Sequence, residues 1–257
     1  TFYSILPTAT QFARNAIFSG LLPIDIEKKF PQDWKFDDEE GGKNMKEDMF
    51  FKAQLKKLGK ENLRTSYTKI VTNEAGQNLV TNVHNLLNND LNVIVYNFVD
   101  MLSHARTDME VLKELANDER SYRSITKSWF EHSPLFEALK RIADKKIRIV
   151  LATDHGSIRV QTPAKVIGDR TTTTNIRYKH GRNLNYEAKD VLAFRNPAEA
   201  GLPQPNINSS YIFAREDKFL CYPNNYNHFV NYYRNSFQHG GLSLEEMIVP
   251  VVVMEPK

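Results

Sequence analysis

The 257-residue sequence holds one cysteine, Cys221, so no internal disulfide can form. Stability then has to come from a packed core, and a reducing compartment, most simply the cytoplasm, is expected. No apolar run approaches the about 20 residues that span a bilayer, so no membrane partner is expected. The first residues lack a basic segment followed by a long apolar one, so no signal peptide is read there. An initiator Met is also missing and the chain opens in an apolar stretch, which reads as a piece of a longer protein. Internal repeats and extended low-complexity segments are absent. Neither charge sign dominates: 34 Lys and Arg stand against 31 Asp and Glu, a net charge of +3. That mild surplus is compatible with a phosphate-bearing substrate and does not by itself require one.

Of the residues present, 41% are hydrophobic and 25% charged. This suits one large domain, or one domain with a sizeable insertion. Strand, helix and strand alternate through the middle of the chain. Tyr67 to Thr72 and Asn92 to Val99 read as strands, Gln77 to Leu87 has helical periodicity, and Tyr122 to Ile142 reads as helix before a strand at Ile147 to Thr153. The pattern predicts an α/β fold with a mostly parallel central sheet flanked by helices. Residues 24–60 are rich in charge, with an exposed acidic run from Asp37 to Glu40, and read as an insertion or lid that turns helical from Lys46. Residues 157–222 carry shorter strands and read as an additional β-rich region.

Chemistry-bearing residues fall at the ends of the strand-like runs. Asn92 to Val99 runs into Asp100 and His104; Ile147 to Thr153 runs into Asp154 and His155; His239 precedes Gly240-Gly241 far downstream. Taken singly, each has a plain structural use: a helix cap, a surface histidine, a turn residue. Taken together they sit where ligands of open α/β sheets collect, outside the carboxyl ends of strands. Carboxylate and imidazole without thiolate suit zinc, with manganese or iron as alternatives. At the other end of the chain, Thr10 stands at the N-cap position of a helix that Gly20 would stop. Arg14 follows one turn later, and Arg177 to Arg182 form a basic stretch with one aromatic. Either Arg14, Lys179 and Arg182 touch an anionic substrate, or they belong to an ion pair and a solvated loop.

These motifs resemble those of the alkaline phosphatase superfamily: a Thr, then Asp-x-x-x-His, then Asp-His, then His-Gly. Ser4 to Asn15 and His239 to Met247 are similar to the PglZ domain, most of all to the effector domain of PorX-type response regulators of Bacteroidetes, which serve type IX secretion. The resemblance covers nearly the whole chain. It implies an alkaline-phosphatase-like fold and a two-zinc phosphodiesterase acting on cyclic or linear oligonucleotides. It implies that Thr10 is the nucleophile, that Asp100, His104 and His239 bind one zinc, and that Asp154, His155 and Thr10 bind the other. It also implies an upstream Asp ligand on a first core strand and an upstream receiver domain, neither within these residues, and allows a homodimer.

A bound divalent cation would lower the pKa of the Thr10 hydroxyl, and a helix N-terminus would favour the developing charge. Two other readings stay open. One is a non-catalytic, metal-stabilised module for regulation or dimerisation. The other is a phosphomonoesterase.

Overall fold

The computed structural model describes residues 1–36, 44–169 and 172–256, without the side chains of Asp100 and His104. The expected acidic run at 37–40 therefore lies outside the described residues. The chain divides into two compact units, Thr1–Leu58 with Ala152–Val251, and Gly59–Leu151 with Val252–Lys257.

In the second unit, strand Thr65–Ile70 pairs in parallel with Leu91–Tyr96, residue against residue from Thr65↔Leu91 to Ile70↔Tyr96. Parallel neighbours need a crossover, and helix Asn73–Thr81 supplies it. Thr72 starts that helix by accepting a hydrogen bond from Ala75 N at 3.2 Å. Leu79 and Val80 bury the helix face against Ile70, with Val83, Ala138 and Ile142 completing the cluster. The long helix expected over Tyr122 to Ile142 is two, Glu119–Glu131 and Pro134–Ile142. The break is local chemistry: Pro134 has no N–H to continue a helix, and Ser133 Oγ caps the second helix by accepting from Phe136 N at 3.1 Å. Strand Ile149–Ala152 pairs with Val251–Met254.

The first unit is built from shorter strands. Tyr178–Arg182, Ser209–Ala214 and Val191–Phe194 form an antiparallel sheet, with Ser209–Ala214 in the middle. Thr162–Ile167 lies between Lys218–Cys221, in parallel, and Asn185–Tyr186, antiparallel. Ala164 and Val166, two apart and thus on one face, are buried with Val191, Ile212, Ala214 and Leu220. Helix Thr10–Ser19 buries Phe12 and stops at Gly20, whose φ of 62° is the left-handed C-cap conformation that glycine adopts without strain. Helices Pro23–Lys29 and Glu47–Lys57 follow in this unit.

The mostly parallel central sheet is not evident among the described residues, whose strands form two three-stranded and four two-stranded sheets. The strands are two to six residues long. In the first unit, Asn, Gly and Pro turns return the chain on itself, and such connections join antiparallel neighbours. Among the described residues no helix is long and apolar enough to cross a membrane.

Candidate functional site

In the first unit, Thr10 is the first residue of helix Thr10–Ser19, not its cap. The N-cap is Ala9, which offers no side-chain bond. The Thr10 hydroxyl points elsewhere, to His155 Nε2 at 3.0 Å. The other ring nitrogen, His155 Nδ1, lies 2.8 Å from the Gly156 carbonyl. A carbonyl only accepts, so Nδ1 carries the hydrogen and the neutral ring presents its lone pair at Nε2. Thr10 therefore donates, and the contact places a hydroxyl proton on a basic nitrogen. Asp154 Oδ2 stands 3.6 Å from the same Nε2.

The Asp154–His155 corner is held by backbone contacts. Ser4 Oγ donates to Asp154 O at 2.5 Å, and Thr153 Oγ1 donates to His155 O at 3.0 Å. Gly156 N donates to Glu246 O at 2.9 Å. A Cβ at Gly156 would stand 2.0 Å from Glu245 O, so no larger residue fits without moving backbone.

His239 arrives from the far end of the chain. Its ring stacks on that of His155, centroids 4.0 Å apart and planes 17° from parallel. His239 Nδ1 bonds to Thr8 O at 3.2 Å, which by the same carbonyl argument directs the Nε2 lone pair away from the backbone. Thr8, wholly buried, accepts from Gly240 N at 3.0 Å and donates to Gly241 O at 2.9 Å. Thr8 thus ties the segment carrying Thr10 to the segment carrying His239. The resemblance groups His239 with Asp100 and His104; among the described side chains, its ring partner is His155.

The donor set bears on a metal. His155 Nε2, Thr10 Oγ1 and Asp154 Oδ2 lie close together, one nitrogen and two oxygens of the kind that ligate a cation once the Thr10 proton is gone. Ligand atoms 2.0–2.1 Å from a tetrahedral zinc stand about 3.3 Å apart. The separations of 3.0 Å from Nε2 to Thr10 Oγ1 and 3.6 Å to Asp154 Oδ2 bracket that figure. In kind, Asp154, His155 and Thr10 suit zinc. In number they fall short: among the described residues no group of three or more His, Cys, Asp and Glu side chains could hold a metal ion.

Asp100 and His104 belong to the second unit, four apart within helix Phe98–Asp108. The preceding strand ends at Tyr96, so both are helical residues and not strand-end ones.

By sequence, Arg14, Lys179 and Arg182 belong either at an anionic substrate or in an ion pair and a loop. Arg14 is buried and grips Glu47 through Nε at 2.5 Å and Nη2 at 2.7 Å. Glu47 Oε1 also accepts from Asn44 Nδ2 at 2.9 Å, and that amide donates to Thr10 O at 2.9 Å. Arg14 thus supports the start of the Thr10 helix from within. Lys179 is 1% exposed, its ammonium donating to Thr173 O at 3.0 Å and lying 4.4 Å from the centre of the Tyr222 ring. Burial pushes its pKa down to about 7, against a smaller opposing pull from Cys221. The solvated basic loop is corrected: Tyr178–Arg182 is a strand paired on Ser209–Ala214, and only Arg182 at its end is exposed, where it meets Asp169 at 3.0 Å.

Sequence reasoning missed Gly156 and Glu246, and read Arg177 only as part of a basic stretch. Their signal was a Gly directly after Asp-His and an ionisable residue without an evident surface face, and it was too faint to separate from turns and helix caps.

Residues 1–254 match the family model described as BREX system PglZ alkaline phosphatase-like domain. Among solved structures, the phosphonoacetate hydrolase from Sinorhizobium meliloti 1021 is similar at 12% identity, with 98% of this chain and 80% of that chain covered. The TM-score is 0.54 to its complex with phosphonoformate and 0.53 to its complex with phosphonoacetate. No curated protein sequence matches.

Proposed function

This chain belongs to the PglZ family of alkaline phosphatase-like domains, and on that premise we propose that it is a metal-dependent hydrolase of phosphoric esters with Thr10 as nucleophile. The observation that carries the reading is the Thr10 Oγ1 to His155 Nε2 contact of 3.0 Å at the start of a helix. A serviceable hydroxyl nucleophile needs a lone pair or a cation on its oxygen and a place for the charge it attacks. The Gly156 carbonyl keeps His155 in the tautomer whose Nε2 lone pair takes the Thr10 proton or, once zinc is bound, holds the cation instead. The first-turn amides and macrodipole of helix Thr10–Ser19 favour a phosphoryl oxygen beside Thr10.

Thr10 gives up its hydroxyl proton and its oxygen bonds to phosphorus, while the P–O ester bond breaks and the leaving oxygen takes up a proton to depart as the alcohol. Water then displaces Thr10, restoring its hydroxyl and releasing the phosphate product. Zinc held by Asp154, His155 and Thr10 would lower the Thr10 hydroxyl pKa, and the second zinc that the resemblance implies would stabilise the leaving oxygen.

We propose phosphodiesters as the substrate class, with cyclic or linear oligonucleotides among them, and an effector role downstream of a receiver domain in PorX-type signalling. Support for both is the resemblance of Ser4 to Asn15 and His239 to Met247. The solved neighbour is by its name a hydrolase of phosphonoacetate, so phosphonates and monoesters belong in the same assay. Hydrolysis of bis(4-nitrophenyl) phosphate, a monoester and phosphonoacetate is measured with zinc and after chelation. Zinc-dependent turnover fastest on the diester, lost in Thr10→Val, is expected; an equal rate in Thr10→Val would sink the proposal. A second reading is a metal-stapled regulatory module. It predicts bound zinc and no turnover on any of the three.

A further inference from the structure

Arg177 and Glu246 are both wholly buried, in the first unit, and the scheme above does not use them. Arg177 Nε meets Glu246 Oε1 at 3.0 Å and Nη2 meets Oε2 at 2.6 Å. The guanidinium also donates to Ala214 O at 3.2 Å and to Lys218 O. Glu246 Oε1 accepts a further bond from Gly241 N at 2.9 Å. The Glu246 carbonyl accepts from Gly156 N at 2.9 Å. One residue therefore bonds to the backbone next to His155 and to the backbone two places after His239.

The local sequence points the same way. Ser243-Leu244-Glu245-Glu246 has capping-box spacing, in which the Glu side chain would return to the Ser243 amide. Half of the box forms, Ser243 Oγ accepting from Glu246 N at 3.2 Å. The carboxylate goes instead to Gly241 and Arg177. Contact with the guanidinium is close enough that a Cβ at Gly241 would stand 2.6 Å from Arg177 Nη2 and 2.8 Å from Ala214 O. A buried ion pair is weak as a source of stability, because the desolvation of both charges offsets their attraction. Here the Glu246 carboxylate holds the segment after His239 through Gly241 N, while the Glu246 backbone carbonyl, whose place the ion pair fixes, holds Gly156 beside His155.

We infer that Arg177 and Glu246 are positioning residues that set the stacking of His155 on His239, a role resting on the reading of those histidines as working side chains. Neither touches the reacting atoms; Glu246 acts through the Gly156 and Gly241 backbone, and Arg177 acts through Glu246.

The test is histidine NMR on the full 257-residue chain labelled with 15N-histidine, with zinc affinity measured in parallel. His155→Gln and His239→Gln assign the two rings, whose mutual ring-current shifts report the stack. The double variant Arg177→Met/Glu246→Leu removes both charges together, and Glu246→Asp keeps the pair while withdrawing the carboxylate by one methylene. The expected result is a folded chain by circular dichroism, loss of the ring-current shifts in either variant, and zinc binding weakened roughly 10-fold or more. Wild-type shifts and zinc affinity in a folded variant overturn the proposal. Should the double variant not fold, Glu246→Asp decides alone by the same spectrum. Absence of ester turnover in the wild type would count against the proposed function and leave this spectrum just as decisive.

Discussion

The rings of His155 and His239 are stacked 4.0 Å apart, and each anchors its Nδ1 on a backbone carbonyl, Gly156 for one and Thr8 for the other. Both rings are thereby set in the tautomer that presents a lone pair at Nε2. Two backbone carbonyls thus orient two nitrogens. Thr10 and Asp154 already address one of them.

Thr10→Val removes the hydroxyl at nearly constant shape. Ala9 is the helix N-cap, and the Thr10 hydroxyl makes no capping bond, so folding stability should change by less than about 1 kcal/mol. Turnover of a zinc-loaded enzyme should fall about 10³-fold or more. Thermal melts and initial rates on the same samples check this; a large drop in melting temperature would mark the hydroxyl as structural.

Gly156→Ala should cost about 3 kcal/mol or more, since its Cβ meets the Glu245 carbonyl at 2.0 Å and backbone must move. Gly59→Ala is the control. Its φ is +66° with nothing within 4 Å of the added Cβ, so only the left-handed conformation is penalised, by about 1 kcal/mol. Urea titrations of both variants give the comparison.

Lys179 makes stability depend on pH. Burial depresses its folded-state pKa to about 7 from 10.5, so the unfolded chain binds this proton more tightly. Between pH 7 and 10.5 the unfolded state therefore holds more protons, and stability rises with pH across that window. Below pH 7 both states carry the proton and this contribution is flat. The full swing is at most about 5 kcal/mol, reduced by the Thr173 carbonyl and the Tyr222 face, which favour the charged form. The difference in unfolding free energy between wild type and Lys179→Met, followed from pH 6.5 to 10, should show the slope; a constant difference would contradict it.

Cys221 is 3% exposed and burial pushes its thiol up to about 11. At pH 8 only about 0.1% of it is thiolate, the reactive form. Iodoacetamide should leave the folded chain unlabelled over an hour and add one carbamidomethyl group in 6 M guanidinium, as read by intact mass.

Several local features were legible in the residues themselves. Gly20 ends the first helix, Ala164 and Val166 alternate inward, and the order of Thr10, Asp100, His104, Asp154, His155 and His239 carries the family resemblance, because each depends on neighbours in the chain. Pairing decided the rest. The stretch from Arg177 to Arg182 looks like a basic loop by composition, yet Glu246 and Tyr222, far along the chain, allow Arg177 and Lys179 to be buried. Thr10 looks like a cap, yet its hydroxyl turns to His155 because the Gly156 and Glu246 backbones meet. Periodicity and capping are short-range and visible in sequence; a hydrogen bond or a buried charge between distant residues exists only once tertiary packing has excluded water from between them.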